Sequence, residues 1–217
     1  MGSLFLALLP LAVGMAANPV PIIGVIAMLS TDRPLRNGAL YVATMVTVVL
    51  VIGVVSLLVL NDALGVAGSS GSSGGLQLAV GLAFLVIAFL QWRAKPASSA
   101  KVAEPGWMKM IDKGGPYVAV VLGVALVNYA LVAGAVSDIL KADLSNAAGL
   151  AAVAIFAALA LSTEWLPYAG FVVDRPRSEQ IMSRVRGALI AHNRVILMWV
   201  FIAMGAVYVT KGLVSLL

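Results

Sequence analysis

Six apolar runs, each long enough to cross about 30 Å of hydrocarbon as a helix, take up most of this chain. They fall at about Leu4–Leu29, Gly38–Leu60, Gly75–Trp92, Tyr117–Val136, Ala147–Val173 and Ile190–Leu216. The runs are solid rather than alternating, which argues against a β-barrel. The expected fold is an all-α polytopic membrane protein with six transmembrane helices. Charged residues supply only 11% of the chain, and ordinary globular proteins have about a quarter, so there is too little polar surface for a water-soluble body.

Lys and Arg are sorted between the connecting loops. Arg33 and Arg36 fall in the first loop. Arg93, Lys95, Lys101, Lys109 and Lys113 fall in the third. Arg175, Arg177, Arg184, Arg186 and Arg194 lie in or beside the fifth. Odd loops thus hold 12 of the 14 basic residues. Basic residues near span ends stay cytoplasmic, so the odd loops face inward and both termini face outward, in a multi-pass plasma-membrane protein. The net charge of +5 lies in those inward loops. Its natural partner is an anionic lipid headgroup, not nucleic acid. Gly14-Met15-Ala16 has the form of a signal cleavage triplet, but no basic residue precedes the apolar run, which continues well past it. The first run therefore reads as a span. The chain has no cysteine, which excludes disulfides and thiol relays.

The longest polar stretch, 93–115, divides the chain into two three-span halves, 1–92 and 116–217. It starts as a Pro/Ala/Ser/Lys linker and ends in a segment, Trp107 to Lys113, expected to lie as a short helix on the cytoplasmic surface. The Gly/Ser-rich loop 65–75 reads as a plain tether. An odd number of spans per half makes homologous halves insert upside down relative to each other. Asn18 in helix 1 is followed by Asn37 at the start of helix 2. Asn128 in helix 4 is followed by Asn146 at the start of helix 5. These pairs point to two inverted three-helix repeats.

Polar and helix-breaking residues inside the spans are the candidate site. Asn18-Pro19-Val20-Pro21 sits near the middle of helix 1, where each proline removes a backbone donor. Irregular backbone at that depth is tolerated only where protein or a wet cavity satisfies it, and transporters use such breaks to bind substrate. Asn128 and Tyr129 occupy the matching place in helix 4, where an Asn is also commonly plain helix–helix glue. Glu164 is the one carboxylate well inside a span and is expected to be neutral or paired, either carrying a coupling proton or bridging to a loop arginine such as Arg175. The alanines of helix 5 suggest close packing at the centre of the bundle. Asp174, Pro176 and the apolar residues that follow predict an interfacial helix leading into helix 6. His192 reads as an interfacial polar residue. No metal cluster, nucleophile–base pair or phosphate loop appears, so no enzyme activity, metal or cofactor is expected.

Ala17-Asn18-Pro19-Val20-Pro21-Ile22-Ile23, followed by Arg36-Asn37-Gly38-Ala39, resembles the opening of the LysE transporter superfamily. Within it the chain resembles the GAP family, the glycopeptidolipid- and sulfolipid-addressing proteins of mycobacteria and related actinobacteria. Pro105-Gly106-Trp107-Met108 with Ile111-Asp112 resembles that family's linker. Ala191-His192-Asn193-Arg194-Val195-Ile196 and Lys211-Gly212-Leu213 resemble the start and end of its helix 6. The chain departs from the family at Asn128-Tyr129-Ala130, where an Asn-Pro-Lys-like triplet is usual, so a softer break is expected in helix 4. The resemblance implies an exporter, or a helper of lipid-synthesis or export machinery, for envelope glycolipid. A chain of 22.4 kDa cannot enclose a multi-acyl lipid. Only the headgroup would enter, through a groove open to lipid beside helix 1 or helix 4, or at a homodimer contact. Two alternatives stand beside this: a proton-coupled exporter of an amino acid or cation, and a scaffold that transports nothing.

The charge sorting predicts the outcome of labelling with an impermeant thiol reagent. A single cysteine at Ser70 should react in intact cells and one at Ser99 should not; the reverse pattern would overturn the topology.

Overall fold

The structure, a computed structural model, describes residues 2–60, 73–93 and 115–216. Those residues are helical almost throughout, and none of them forms a strand. In chain order the helices are α1 (Gly2–Ala16), α2 (Pro19–Leu29), α3 (Pro34–Val55), α4 (Ser73–Arg93), α5 (Pro116–Ala125), α6 (Tyr129–Lys141), α7 (Asn146–Ala160), α8 (Ser162–Val173) and α9 (Arg175–Leu216). A π-helical turn, Ser56–Leu60, continues α3. Most of the Gly/Ser tether and of the linker, including the expected Trp107 helix, lies outside the described residues.

The segment Pro34–Leu58 is by itself long and apolar enough to cross a membrane. Three further stretches reach that length only as bent pairs: α1–α2 at 52°, α5–α6 at 58° and α7–α8 at 67°. Up to four crossings among the described residues therefore meet the requirements of length and apolarity. The third and sixth expected spans fall in α4 and in the second half of α9, which carries the shorter apolar helix Met198–Val214.

The core is organised around α3. Asn37, Tyr41, Met45, Val49 and Gly53 are all buried and recur every four residues, so they form one ridge along the helix. Around α3 pack α2, α5, α6, α7 and α8, while α4 lies along α9. Gly53 lets Val153 of α7 close on that ridge, and Gly149 does the same for Leu57. On the outside, α1 turns Phe5, Leu6, Leu9 and Val13 outward, with Leu6 73% exposed. Such a stripe suits contact with lipid or with another protein.

Three expectations are corrected here. Helix 5 is not enclosed on all sides: Ala147, Ala151, Ala154 and Ala158 of α7 are exposed, while α8 carries Glu164 into the interior as expected. Small residues there serve one face only, and the other face turns outward. The fifth span is not continuous but breaks at Leu161. The segment after α8 is not a separate surface helix, since α9 runs unbroken for 42 residues from Arg175. Asp174 does cap it, with its side chain accepting from the Arg177 amide at 3.1 Å.

Close approach of α5 to α3 depends on Gly123. A Cβ there would lie 2.9 Å from the Tyr41 carbonyl oxygen and 2.8 Å from the Thr44 side chain. Gly123→Ala should therefore destabilise the protein by about 1–3 kcal/mol in detergent unfolding, despite the better helix propensity of alanine. Gly115→Ala, which meets nothing within 4 Å, serves as the control and should be near neutral.

Candidate functional site at three helix breaks

Each break has a specific local cause. At the first, Pro19 and Pro21 supply no amide hydrogen, and the residue before a proline is pushed out of the α region. Asn18 accordingly sits at φ −71°, ψ 116°, and its side chain caps α2 by accepting from the Val20 amide at 3.2 Å. The Asn18 amide bonds back to the Met15 carbonyl at 3.1 Å. Val20 would serve the Ala16 carbonyl in an unbroken helix, but here it is held by Asn18. Pro10, a lone proline inside α1, causes no comparable break.

The second break has no proline, yet it is not softer than the first: 58° against 52°. Two side chains replace the missing proline. Asn128 caps α6 by accepting from the Leu131 amide at 3.3 Å, and the Tyr129 hydroxyl donates to the Val124 carbonyl at 2.6 Å. The third and sharpest break, at Leu161, also lacks a proline. The Trp165 indole donates to the Ala158 carbonyl at 2.9 Å, and the Glu164 amide bonds to the Leu161 carbonyl at 3.1 Å.

The first and third breaks are joined by side chains. Thr163 donates to the Ala16 carbonyl at 2.9 Å, across 147 residues of sequence, and its hydroxyl also lies 3.2 Å from Glu164 Oε2. Glu164 is wholly buried, and its Oε1 meets no hydrogen-bond partner among the described residues. The expected bridge to Arg175 is absent, because Arg175 pairs with Glu179 at 2.8 Å and stacks over Phe171. Tyr41 closes the group from α3. It is fully buried and donates to the Pro21 carbonyl at 3.0 Å. Gly24 leaves room for that hydroxyl: a Cβ there would lie 2.5 Å from Tyr41 Oη and 3.2 Å from Leu126 of the second break. Pieces of the first and second breaks thus meet around the Tyr41 hydroxyl.

The sequence-predicted residues are distributed as follows. Asn18, Pro19 and Pro21 belong to the joined group. Glu164 lies at its buried end. Asn128 is half-buried and spent on capping, and Tyr129 is 44% exposed with its hydroxyl turned back on its own helix. Tyr41 and Thr163 were not among the predicted site residues. A tyrosine within an apolar run was the available signal for the first, and the Ser162-Thr163-Glu164 triplet for the second. Asn37 and Asn146, the second members of the repeated Asn pairs, differ in setting: Asn37 is buried and donates to Thr31 at 2.9 Å, whereas Asn146 is exposed.

A profile of the family described as Sap, sulfolipid-1-addressing protein, matches residues 8–214. The chain belongs to the Sap family. No curated protein and no solved structure shows significant similarity to it. The matched range takes in all three breaks of this Sap-family chain, together with Tyr41, Thr163 and Glu164.

Removing the Thr163 hydroxyl should orphan the Ala16 carbonyl in a place without water. Thr163→Val should cost about 1–3 kcal/mol of stability in detergent unfolding, and Thr163→Ser should recover most of it. Equal stability of all three proteins would show that the contact does not tie the breaks together.

Proposed function

We propose that this protein is an inner-membrane exporter, or export factor, for an envelope glycolipid or similar amphiphile, handled at the broken helices. The observation that carries the reading is Glu164: a carboxyl at 0% exposure, with one oxygen unpartnered, beside a joint between two helix breaks. A buried polar group without a partner is costly, and intramembrane acids mark proton and substrate pathways. A scaffold needs neither feature. The Sap family name supplies the substrate class, since addressing of sulfolipid-1 is lipid traffic to the envelope. The LysE-type reading, with six crossings, repeats 1–92 and 116–217 and both termini outside, is the arrangement we favour. Its support is that the first and fourth expected spans each break at an Asn that caps the following helix.

A proton fits the buried end of the site. Thr163 has one hydroxyl hydrogen for two neighbouring oxygens, the Ala16 carbonyl and Glu164 Oε2. Both contacts can be hydrogen bonds together only when Glu164 carries a hydrogen of its own. Losing that hydrogen would set the Ala16 carbonyl and the carboxylate in competition for Thr163, which loosens the tie between α1 and α8. In this mechanism the helix breaks supply a joint that can open, Tyr41 and Asn18 hold its polar backbone, and Glu164 couples its opening to a proton. A headgroup would enter while the acyl chains stay in the membrane.

The complete burial of Glu164 also favours a second reading, a proton-coupled exporter of a small solute, whose site must be closed. A deletion strain separates the two. Inner and outer lipid extracts should differ from wild type by retention of one amphiphile class inside. Asn18→Ala and Glu164→Gln should fail to restore export at normal expression. Unchanged lipid extracts, with an amino acid or cation accumulating in the cells, would hand the case to the small-solute reading.

A further inference from the structure

A cleft of about 430 Å³ lies far from Glu164 in role and chemistry, at the end of the molecule where α3 begins and α8 ends. Arg33, Arg36 and Arg175 line it, together with Leu35, Phe171 and Val172. A second cleft of about 490 Å³ adjoins it through Arg175 and reaches Ser30, Thr31 and Ser183. Three guanidinium groups, two from the start of α3 and one from the start of α9, thus edge one opening; Glu179 is the acid among the residues lining the two clefts, and Asp32 and Asp174 flank the arginines in sequence.

Most of that positive charge is unspent. Arg33 makes no side-chain cap for α3, and no hydrogen bond or ion pair ties its guanidinium among the described residues. Arg36 has one long contact, its Nε donating to Asn37 Oδ1 at 3.4 Å. Arg175 gives its Nε to Glu179 at 2.8 Å, an exposed pair of the kind that contributes little, and its outer nitrogens are left over. The first-turn amides of α3 have no side-chain acceptor either and add a weak positive pole. Planar guanidinium forks suit a tetrahedral oxyanion better than they suit a single carboxylate.

The walls of the cleft are apolar and open on the outer surface. Leu35 is 51% exposed and Val172 56%. An oxyanion on the arginines would therefore continue into hydrocarbon along these side chains. A free inorganic anion has no use for that wall; a lipid has.

We propose that this cleft binds the phosphate headgroup of an anionic phospholipid from the surrounding bilayer. The bound lipid ties the start of α3 to the end of α8 and the start of α9, and so braces the two helices that carry Tyr41 and Glu164. The proposal rests on the membrane reading but not on transport, so its test is a binding measurement.

The full chain in neutral detergent is titrated with phosphatidylglycerol or phosphatidylcholine and lipid adducts are counted by native mass spectrometry. Wild type should retain one phosphatidylglycerol with a preference of about tenfold over phosphatidylcholine. The double variant Arg33→Gln/Arg175→Gln should bring the preference near parity, and Glu179→Gln should strengthen it. Arg93→Gln/Arg184→Gln removes the same charge elsewhere and should leave the preference intact. Equal loss in that control would overturn the proposal in favour of a general surface field. Full displacement of the lipid by millimolar inorganic phosphate would overturn it in favour of a free-anion site. Retained lipid binding without any export phenotype would count against the proposed function and leave this site standing.

Discussion

A backbone group left without a partner away from water costs several kcal/mol, and this structure is organised around that penalty. Three of its apolar stretches break, and every break frees carbonyls or amides from helical pairing. Asn18 and Asn128 cap the helices that follow. Thr163, Trp165, Tyr41 and Tyr129 each donate to a carbonyl at or near a break. These bonds explain why polar residues occur where they do in a chain that is 62% hydrophobic. They also explain the central place of α3, whose Tyr41 reaches the first break while Gly24 and Leu126 pack beside its hydroxyl.

Satisfied breaks differ from plain kinks in what they permit. A proline kink is fixed by its ring. A break held by one hydroxyl can be released by changing the partner of that hydroxyl. Thr163 stands between the Ala16 carbonyl and Glu164, so a proton on the acid and the joint of α1 with α8 act on the same hydrogen. The proposed export function needs this release.

Much of this was legible in the residues, for reasons that differ by element. The first break follows from the covalent chemistry of Pro19 and Pro21, which no packing can override. The second was legible in place but not in sharpness, because Tyr129 does the work expected of a proline and does so through a contact five residues back. The third was hidden. Nothing in Leu161 to Thr163 forbids a helix, and the break depends on the Trp165 indole and on Thr163 meeting a residue 147 positions away. The alanines of helix 5 mark close packing on one face, and those of its other face turn outward, a split the composition alone does not show.

The central claim is that this chain moves an amphiphile through a joint governed by Glu164. Purified protein in vesicles carrying a headgroup-labelled fluorescent glycolipid, bleached from outside by an impermeant reductant, measures that movement directly. With an inward-acid pH gradient, wild type should carry the labelled lipid to the outer leaflet, and Glu164→Gln should not. Vesicles in which the lipid stays put, while entrapped amino acids or cations leave under the same gradient, would contradict the account.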